Sequence, residues 1–589
     1  MKSLQIAAID HLPWLEYRHA LSDGRVCIRI RTAVGEFDAI TLRHADNYAE
    51  GEPFTRAEDT PMERMWRDES HEVWQAVFVL HDPRIVYAFV LYAGGVQLLH
   101  DADGTHAMPE NPAWVNGFHF AHAYPAQEKP QWARGCVGYQ IFPDRFRRVD
   151  VPGEEAVEPW GSKRVANEYR FGGNLKGILE AVPYLAELGV GVVSMTPIFL
   201  SDTSHRYNTF DYYQIDPLLG SLEDLKALAD ALHERGIRIV LDGVFNHCGL
   251  GFAPFQDAKE KGKASPYYDW FFFGEQYPCG YMTFGEKWAY MPKLNMQNEA
   301  CAEYFLDVGR YWLREAHVDG WRLDVSPEVY PDFWRQFRRA VKKTNPNAIM
   351  IAECWDDSRE WCTIGDMFDG TMHYVLSGAI WKFFAEKRWS LAEFDAGVNR
   401  AMMLYPQEVQ NSMWNFLSSH DTARMLTRCG GRTKAMRAAA FFQMTHPGVP
   451  VIYYGDELGM RGGPDPDCRR SMTWDRVEGN GMLACYKKLT KMRNASKTLR
   501  EGTFVTWEVG ADGLYAYLRR TDEETLLCVL NTSEKRISRT MGLPETLAGQ
   551  KTLCDRLTGK RLAVRGESIA VALGAGEGIV IGIEEGQRK

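Results

Sequence analysis

Over residues 1–125 apolar and polar positions tend to alternate. RVCIRIRTA (Arg25–Ala33) puts Val26, Ile28 and Ile30 on one face and Arg29 and Arg31 on the other. AITLRH, VWQAVFVL and IVYAFVLYAGG follow, separated by Asp, Gly and Pro clusters. A period of two broken by turn formers predicts a small antiparallel β-sandwich. The polar stretch Ala123–Gly135 reads as a linker. From Val137 the texture becomes strand–helix alternation, the sign of a parallel α/β sheet. In SLEDLKALADALHERGIRIVLDGVFNH, Ser221 predicts an N-cap and Gly236 a helix stop. GILEAVPYLAELGVGVVSMTPIF predicts another amphipathic helix, a Gly stop and a buried strand. VDGWRLDV, NAIMIAEC, DGTMHYVL, WNFLSSHD and VPVIYYGDE continue the series to eight strands, the number a (β/α)₈ barrel needs. The connection 248–295 carries little helical periodicity and many aromatic residues. An insertion of that length on a barrel rim is more often functional than idle. LYAYLRR, TLLCVLN and SIAVAL predict a terminal sandwich. The reading is an α/β protein: a TIM barrel at 136–500 with an inserted loop domain at 248–295, between β-sandwiches at 1–125 and 501–589.

Bulk properties add exclusions. A chain of 589 residues with a net charge of −10 needs several cores and lacks the basic balance of a nucleic-acid partner. No apolar run approaches the ~20 residues that span a bilayer. MKSLQIAAIDHLPW reaches Asp10 and His11 too soon for a signal-peptide core, so a cytoplasmic protein is expected. The 12 cysteines form no CxxC pair and are expected to be reduced packing residues, Cys354 included.

The chemistry lies at strand ends. Asp242 closes RIVLDG, with Asn246 and His247 just beyond. Arg322 and Asp324 in GWRLDV are two apart and share a strand face, so the guanidinium is expected to hold Asp324 ionised. Glu353 ends the next strand, near enough for the like charge of Asp324 to keep it protonated, as a general acid requires. Asp421, after His420, supplies a third carboxylate. A nucleophile, an acid and a third carboxylate suit glycoside hydrolysis with retention, for which the first pair should lie about 5–5.5 Å apart.

VLDGVFNH, GWRLDV, AECW and FLSSHD, in that order, resemble the four signature segments of the α-amylase family. MPKLN (Met291–Asn295) is similar to the extra signature of its neopullulanase, cyclomaltodextrinase and maltogenic amylase subgroup, as are GYQIFPDRF, SHRYNTFDYYQID, GVPVIYYGDE and DPDCRRSMTWD. The resemblance implies Asp324 as nucleophile, Glu353 as acid/base and Asp421 as transition-state stabiliser. It implies that His247 and His420 contact hydroxyls of the glucose at the cleavage point. Tyr139 or Tyr207 would offer a ring as its floor, and Arg322 would fix Asp324. Asp465 and Arg469 would meet sugars on the non-reducing side, Trp355 would line the acceptor side, and Glu328 would influence water or acceptor placement. Asp242 is read as a structural anchor.

The implied substrate is a cyclodextrin, pullulan or a maltooligosaccharide, cleaved at α-1,4 bonds with α-1,6 left open, with some transglycosylation. A homodimer, the N-terminal domain covering the partner's site, is implied too. A predominantly transferring α-glucanotransferase and a non-catalytic glucan-binding barrel are the alternatives. Two departures stand out. The loop after PDRF is RRVDVPGEEAVEPW and the later segment is GGNL, so no metal or other cofactor is expected, although Asp150, Glu154 and Glu155 could offer calcium some oxygens. The subgroup's YDT is YNT, with Asn208, which removes one expected ion pair or hydrogen bond beneath the active-site loop.

Overall fold

The computed structural model describes residues 4–13, 16–21, 23–48, 52–80, 84–120, 129–150, 157–285 and 288–584. Residues 123–128 of the linker segment lie outside them, as do Glu154 and Glu155. The chain divides into two compact units. One comprises Met1–Glu128 with Trp389–Gln410, the other Lys129–Arg388 with Asn411–Lys589.

In the first unit the expected strand Arg25–Ala33 pairs antiparallel with Arg18–Ala20 and His71–Val79, in a four-stranded sheet completed by Glu63–Arg67. A second, six-stranded sheet centres on Ala39–Asp46 and Ile85–Ala93. Val26, Ile28 and Ile30 join Ile40, Leu42, Tyr87, Phe89 and Leu91 in one core. The opposite face is not solvated at Arg29, which is buried. Its Nε donates to Gln75 Oε1 at 2.9 Å and its Nη1 to the Tyr405 carbonyl at 3.1 Å. Tyr405 belongs to the later segment of this unit, which begins with the helix Leu391–Met403.

In the second unit eight strands form one all-parallel sheet: β1 (Gly138–Ile141), β2 (Val192–Met195), β3 (Arg238–Gly243), β4 (Gly320–Leu323), β5 (Ile349–Ala352), β6 (Gly370–Thr371), β7 (Trp414–Phe416) and β8 (Val449–Tyr453). β1 pairs with both β2 and β8, and a bridge from Met372 to Trp414 joins β6 towards β7, closing the barrel. Val192, Val240, Ile349, Ile351, Phe416 and Val451 fill its core. The register sets Asp242 beside Arg322 and Arg322 beside Ile351, so the C-terminal ends of β3, β4 and β5 are level. An eight-stranded antiparallel sheet follows from Thr503–Val509 to Gly578–Gly582, with Leu514, Leu527, Val529, Leu553 and Ile581 inside.

Local signals explain the connections. The helix Leu222–His233 starts at a capping box between Ser221 and Asp224 and buries Leu225, Leu228, Ala229 and Leu232, spaced for one face. Gly236 follows with φ 71°, the left-handed stop. The helix expected before β2 is broken in two, Leu175–Glu180 and Val182–Glu187. Pro183 cannot donate to the preceding turn, so the second helix restarts there. The insertion contains a helix after all, Ala253–Lys261, whose buried residues are only Phe255 and Ala258, too few to show a period.

Glu457, just after β8, is fully buried and accepts from the hydroxyls of Tyr139 (2.8 Å) and Tyr184 (2.7 Å). Burial pushes its carboxyl up to about 7 from an ordinary 4.5, the two tyrosines pulling the other way. The folded chain therefore keeps a proton that the unfolded chain releases. Stability from this group is full below 4.5 and is lost as pH rises through 7, by roughly 3 kcal/mol in all. Glu457→Gln should gain stability relative to the wild type progressively between pH 5 and 8 in chemical unfolding. A difference that stays flat across that range would contradict the protonated buried carboxyl.

Candidate active site

Arg322, on β4, is the only guanidinium among the described residues that pairs with the three carboxylates at the level strand ends. Its Nη1 donates to both oxygens of Asp242 (2.8 and 2.9 Å) and to Asp324 Oδ1 (2.9 Å). Its Nη2 lies 2.8 Å from Glu353 Oε2, an ion pair too bent for a hydrogen bond. All four side chains are at most 7% exposed. Against the expectation, Asp324 is not held low by Arg322. Burial, then the Glu353 charge, pushes it well above the usual carboxylate range, with the guanidinium pulling back. Burial likewise raises Asp242 to about 6. One cation cannot neutralise three buried anions, so the cluster favours keeping a proton.

The backbone after Asp324 is strained. Val325 is β-branched yet sits at φ 44°, in the left-handed region. That turn aims its N–H at Glu353 Oε2, 3.1 Å away. Glu353 Oε1 accepts from the indole Nε1 of Trp355 at 3.1 Å. Strain held beside reacting groups is a mark of functional sites.

Above the cluster lies a cavity of about 700 Å³. Of the residues singled out in the sequence, Asp324, Glu353, Asp421, Tyr207, His247, Glu328, Trp355, Asp465 and Arg469 all wall it. Three expected residues do not. Arg322 lies buried beneath, in its expected bracing position. Tyr139 is wholly buried with its hydroxyl on Glu457, so it corrects to a core residue, and the ring at the cavity is that of Tyr207. His420 also stands back from the cavity: its ring stacks on Tyr207 at 5.4 Å and its Nε2 meets the Tyr207 hydroxyl and Asp421 Oδ2. Tyr207 has one proton and gives it to Asp242 at 2.9 Å, so His420 Nε2 carries the other.

His247 stacks on Phe284 at 4.8 Å, and its buried Nε2 has no hydrogen-bond partner among the described residues. Burial, then Lys293, lowers His247 to about 3, and burial takes His420 well below its ordinary value, so both rings are neutral at physiological pH. A neutral, unpartnered ring nitrogen on a cavity wall suits a sugar hydroxyl. Arg469 braces the far side: Nε to the His420 carbonyl (2.8 Å), Nη2 to Asp421 (3.3 Å), Nη1 to Asp465 (2.8 Å) and Asn167 (3.0 Å). The departure at Asn208 is accommodated without charge. Its amide accepts from Ser201 Oγ at 2.8 Å and donates to Asp202 at 2.5 Å, closing the loop under Tyr207.

The insertion supplies wall residues the sequence reading did not single out: Phe284, Trp288, Tyr290 and Met291. Lys293, within MPKLN, was also missed. It is buried, lowered to about 8 by desolvation, and donates to the Glu328 carbonyl at 2.6 Å and to Asn246. Asn246 Nδ2 in turn donates to Glu328 Oε2 at 3.1 Å, so this pair places Glu328. The motif pointed to Lys293, but nothing in a lone sequence separated it from a surface lysine. Cys354 is buried with its thiol raised by burial, a packing role. Among the described residues no cluster of three or more His, Cys, Asp or Glu could hold a metal, and no helix is long and apolar enough to cross a membrane.

An eight-stranded parallel barrel with acidic groups gathered at its C-terminal rim defines the class: a TIM-barrel enzyme of the glycoside hydrolase type. The comparisons narrow it. Residues 140–482 match the α-amylase catalytic domain, 4–125 the α-amylase N-terminal Ig-like domain, and 509–573 the cyclo-malto-dextrinase C-terminal domain. The chain belongs to the α-amylase family of glycoside hydrolases. It is 36% identical to neopullulanase 2 of Thermoactinomyces vulgaris, over 98% of this chain and 99% of that one. It is 34% identical to the intracellular maltogenic amylase of Bacillus subtilis, over 94% and 96%. A solved cyclomaltodextrinase superposes with a TM-score of 0.89 at 33% identity, covering 98% of this chain and 100% of that one.

Removing the shared cation should expose the cost of the cluster. Arg322→Met is expected to lose roughly 3–5 kcal/mol of stability at pH 8, because buried carboxylates are left unpaired. The loss should shrink at pH 5, where they protonate more readily. Equal unfolding midpoints for variant and wild type at both pH values would contradict the bracing role.

Proposed function

We propose that this glycoside hydrolase cleaves α-1,4 glucosidic bonds of cyclodextrins, pullulan or maltooligosaccharides, with α-1,6 bonds as a further target, retaining anomeric configuration and transferring some glycosyl groups to sugar acceptors. The carrying observation is that one guanidinium holds Asp324 and Glu353 together. Carboxyl groups gathered on one cation favour the ~5–5.5 Å spacing of a nucleophile and its acid over the ~6.5–9.5 Å gap that an inverting pair leaves for water.

In this reading Glu353 Oε1 gives its proton to the glycosidic oxygen while an Asp324 oxygen attacks the anomeric carbon. The C–O bond breaks, the acceptor-side sugar leaves with the proton, and a glycosyl ester forms on Asp324. Glu353, now a base, takes a proton from water, whose oxygen displaces Asp324 and regenerates both groups. A sugar hydroxyl in place of that water gives transfer. Asp421, tied to Arg469, faces the developing cation from the side, and His247 offers its free nitrogen to a hydroxyl. Tyr207 presents its ring to the sugar, and Asp465 and Arg469 meet its non-reducing neighbours. Trp355, half-exposed, and Glu328 stand at the acceptor end. The aromatic insertion narrows the cavity, which supports short or cyclic glucans as substrates. The names of the relatives support the same range. The intracellular label of one of them supports a cytoplasmic location, and the family likeness supports a homodimer.

Asp324→Asn should lose turnover on maltotriose by about 10⁴-fold or more while its circular dichroism stays native. The first product released by the wild type should be the α-anomer in proton NMR. Near-normal turnover of the variant, or a β-anomer, would sink the reading.

A further inference from the structure

A second cavity, of about 550 Å³, lies within the larger unit and shares no lining residue with the catalytic one. One wall is formed by the helices Thr433–Thr445 and Gly481–Ala495, which follow β7 and β8. The other is the terminal antiparallel sheet, along Arg561–Arg565, Ser568–Leu573 and Gly578–Gly582. Phe441 and Leu489, nearly fully buried, give the floor from the helix side, and the partly buried Leu562 and Ile579 give it from the sheet. The turn before Gly578 closes on the first helix through glycines. A Cβ on Gly578 would stand 2.6 Å from the Phe441 ring, and one on Gly576 would stand 2.4 Å from the Lys434 carbonyl. A concave space of this size, with an apolar floor and a few polar groups, is the form that small-molecule sites take.

Its charged groups are mostly cations. Arg437, Lys488 and Lys560 line the cavity, and none forms an ion pair among the described residues. Arg437 Nη2 donates to the Gly481 carbonyl at 3.4 Å, a long and weak bond. Two acids also line the cavity, but both are turned onto their own loops. Asp555 is buried and accepts from the N–H groups of Leu557 (3.0 Å) and Val580 (3.2 Å) and from Thr558 Oγ1 (2.5 Å). Glu577 accepts from the Gly574 N–H at 2.7 Å. The half-buried Cys485 lies between the cations: burial raises its thiol, and Arg437 and then Lys488 pull it back. In a chain of net charge −10, an uncompensated group of cations reverses the local field and draws anions to it.

We propose that this cavity is a binding site for a small organic anion with an apolar body, distinct from the catalytic cavity. The body lies on Phe441, Leu489, Leu562 and Ile579, and the anionic head meets Arg437 and Lys488, with Lys560 at the sheet side. A neutral glucan suits it poorly, because the floor is aliphatic and aromatic and the polar groups present are charged donors. An occupant touches both walls at once, so it binds the folded chain alone and stabilises the junction of barrel helices and sheet. The site needs none of the catalytic assignments and stands or falls apart from them.

The probe is 8-anilinonaphthalene-1-sulfonate, an apolar ring system with one negative charge, titrated into the whole chain and followed by its fluorescence. Binding should saturate and should survive excess maltotriose. At about ten times its Kd the probe should slow alkylation of Cys485 by iodoacetamide about tenfold, read on the Cys485 peptide by mass spectrometry. Arg437→Gln with Lys488→Gln should weaken binding by about tenfold or more, the size expected for lost charge-assisted contacts. Ala484→Trp, at an exposed position on the cavity wall, should fill the space and abolish binding. N-phenyl-1-naphthylamine, which has the same rings without the sulfonate, should bind about tenfold less tightly than the sulfonate. Retained maltotriose turnover reports that each variant is folded. Unprotected Cys485, displacement by maltotriose, affinity unchanged in the charge variant, or a neutral probe that binds as tightly would each overturn the proposal.

Discussion

The site depends on an imbalance of charge: three buried carboxylates around one buried guanidinium. Each carboxylate arrives from a different strand end, and parallel pairing in register is what makes those ends level. Arg322 then sets the geometry, because its two amino groups fix where the three acids can stand. It cannot set the charge, since burial costs each anion more than a shared cation returns. A proton is therefore built into the cluster. The fold decides where the acids are, and burial decides that they are reluctant to be charged together.

Most of the architecture was legible because periodicity and burial agree over long stretches. The Ser221 capping box, the Gly236 stop and the eight strand cores are short-range signals that the tertiary structure reinforces. Legibility failed where one residue outweighed a pattern, as Pro183 does in splitting a helix. It also failed where a charged residue is buried by chain distant in sequence. Arg29 looked like a solvent-facing partner of Arg31, yet it is covered by the segment around Tyr405.

The site divides similarly. Carboxylates at strand ends could be found because their spacing carries the chemistry. Which aromatic ring faces the substrate could not, since Tyr139 and Tyr207 both lie within signature-like segments and only packing shows that Tyr139 belongs to Glu457. The expectation that Arg322 would hold Asp324 ionised weighed one neighbour and omitted burial and a second acid. Lys293 lay inside a recognised motif, but its bond to the Glu328 carbonyl is a contact between separate loops that no local pattern announces. The insertion is the element with the least periodic sequence and the largest share of aromatic wall, consistent with a segment shaped by its ligand rather than by a core.

The account's central claim is that Asp324 is the group that bonds to the sugar. The direct measurement is to incubate the wild-type enzyme with a ring-fluorinated α-maltosyl fluoride, which slows release of the glycosyl ester, and to locate the label by peptide mass spectrometry. The account predicts one maltosyl group on the peptide bearing GWRLDV, at Asp324. A label on Glu353 or Asp421, or consumption of the reagent with no covalent species and inverted product, would contradict it.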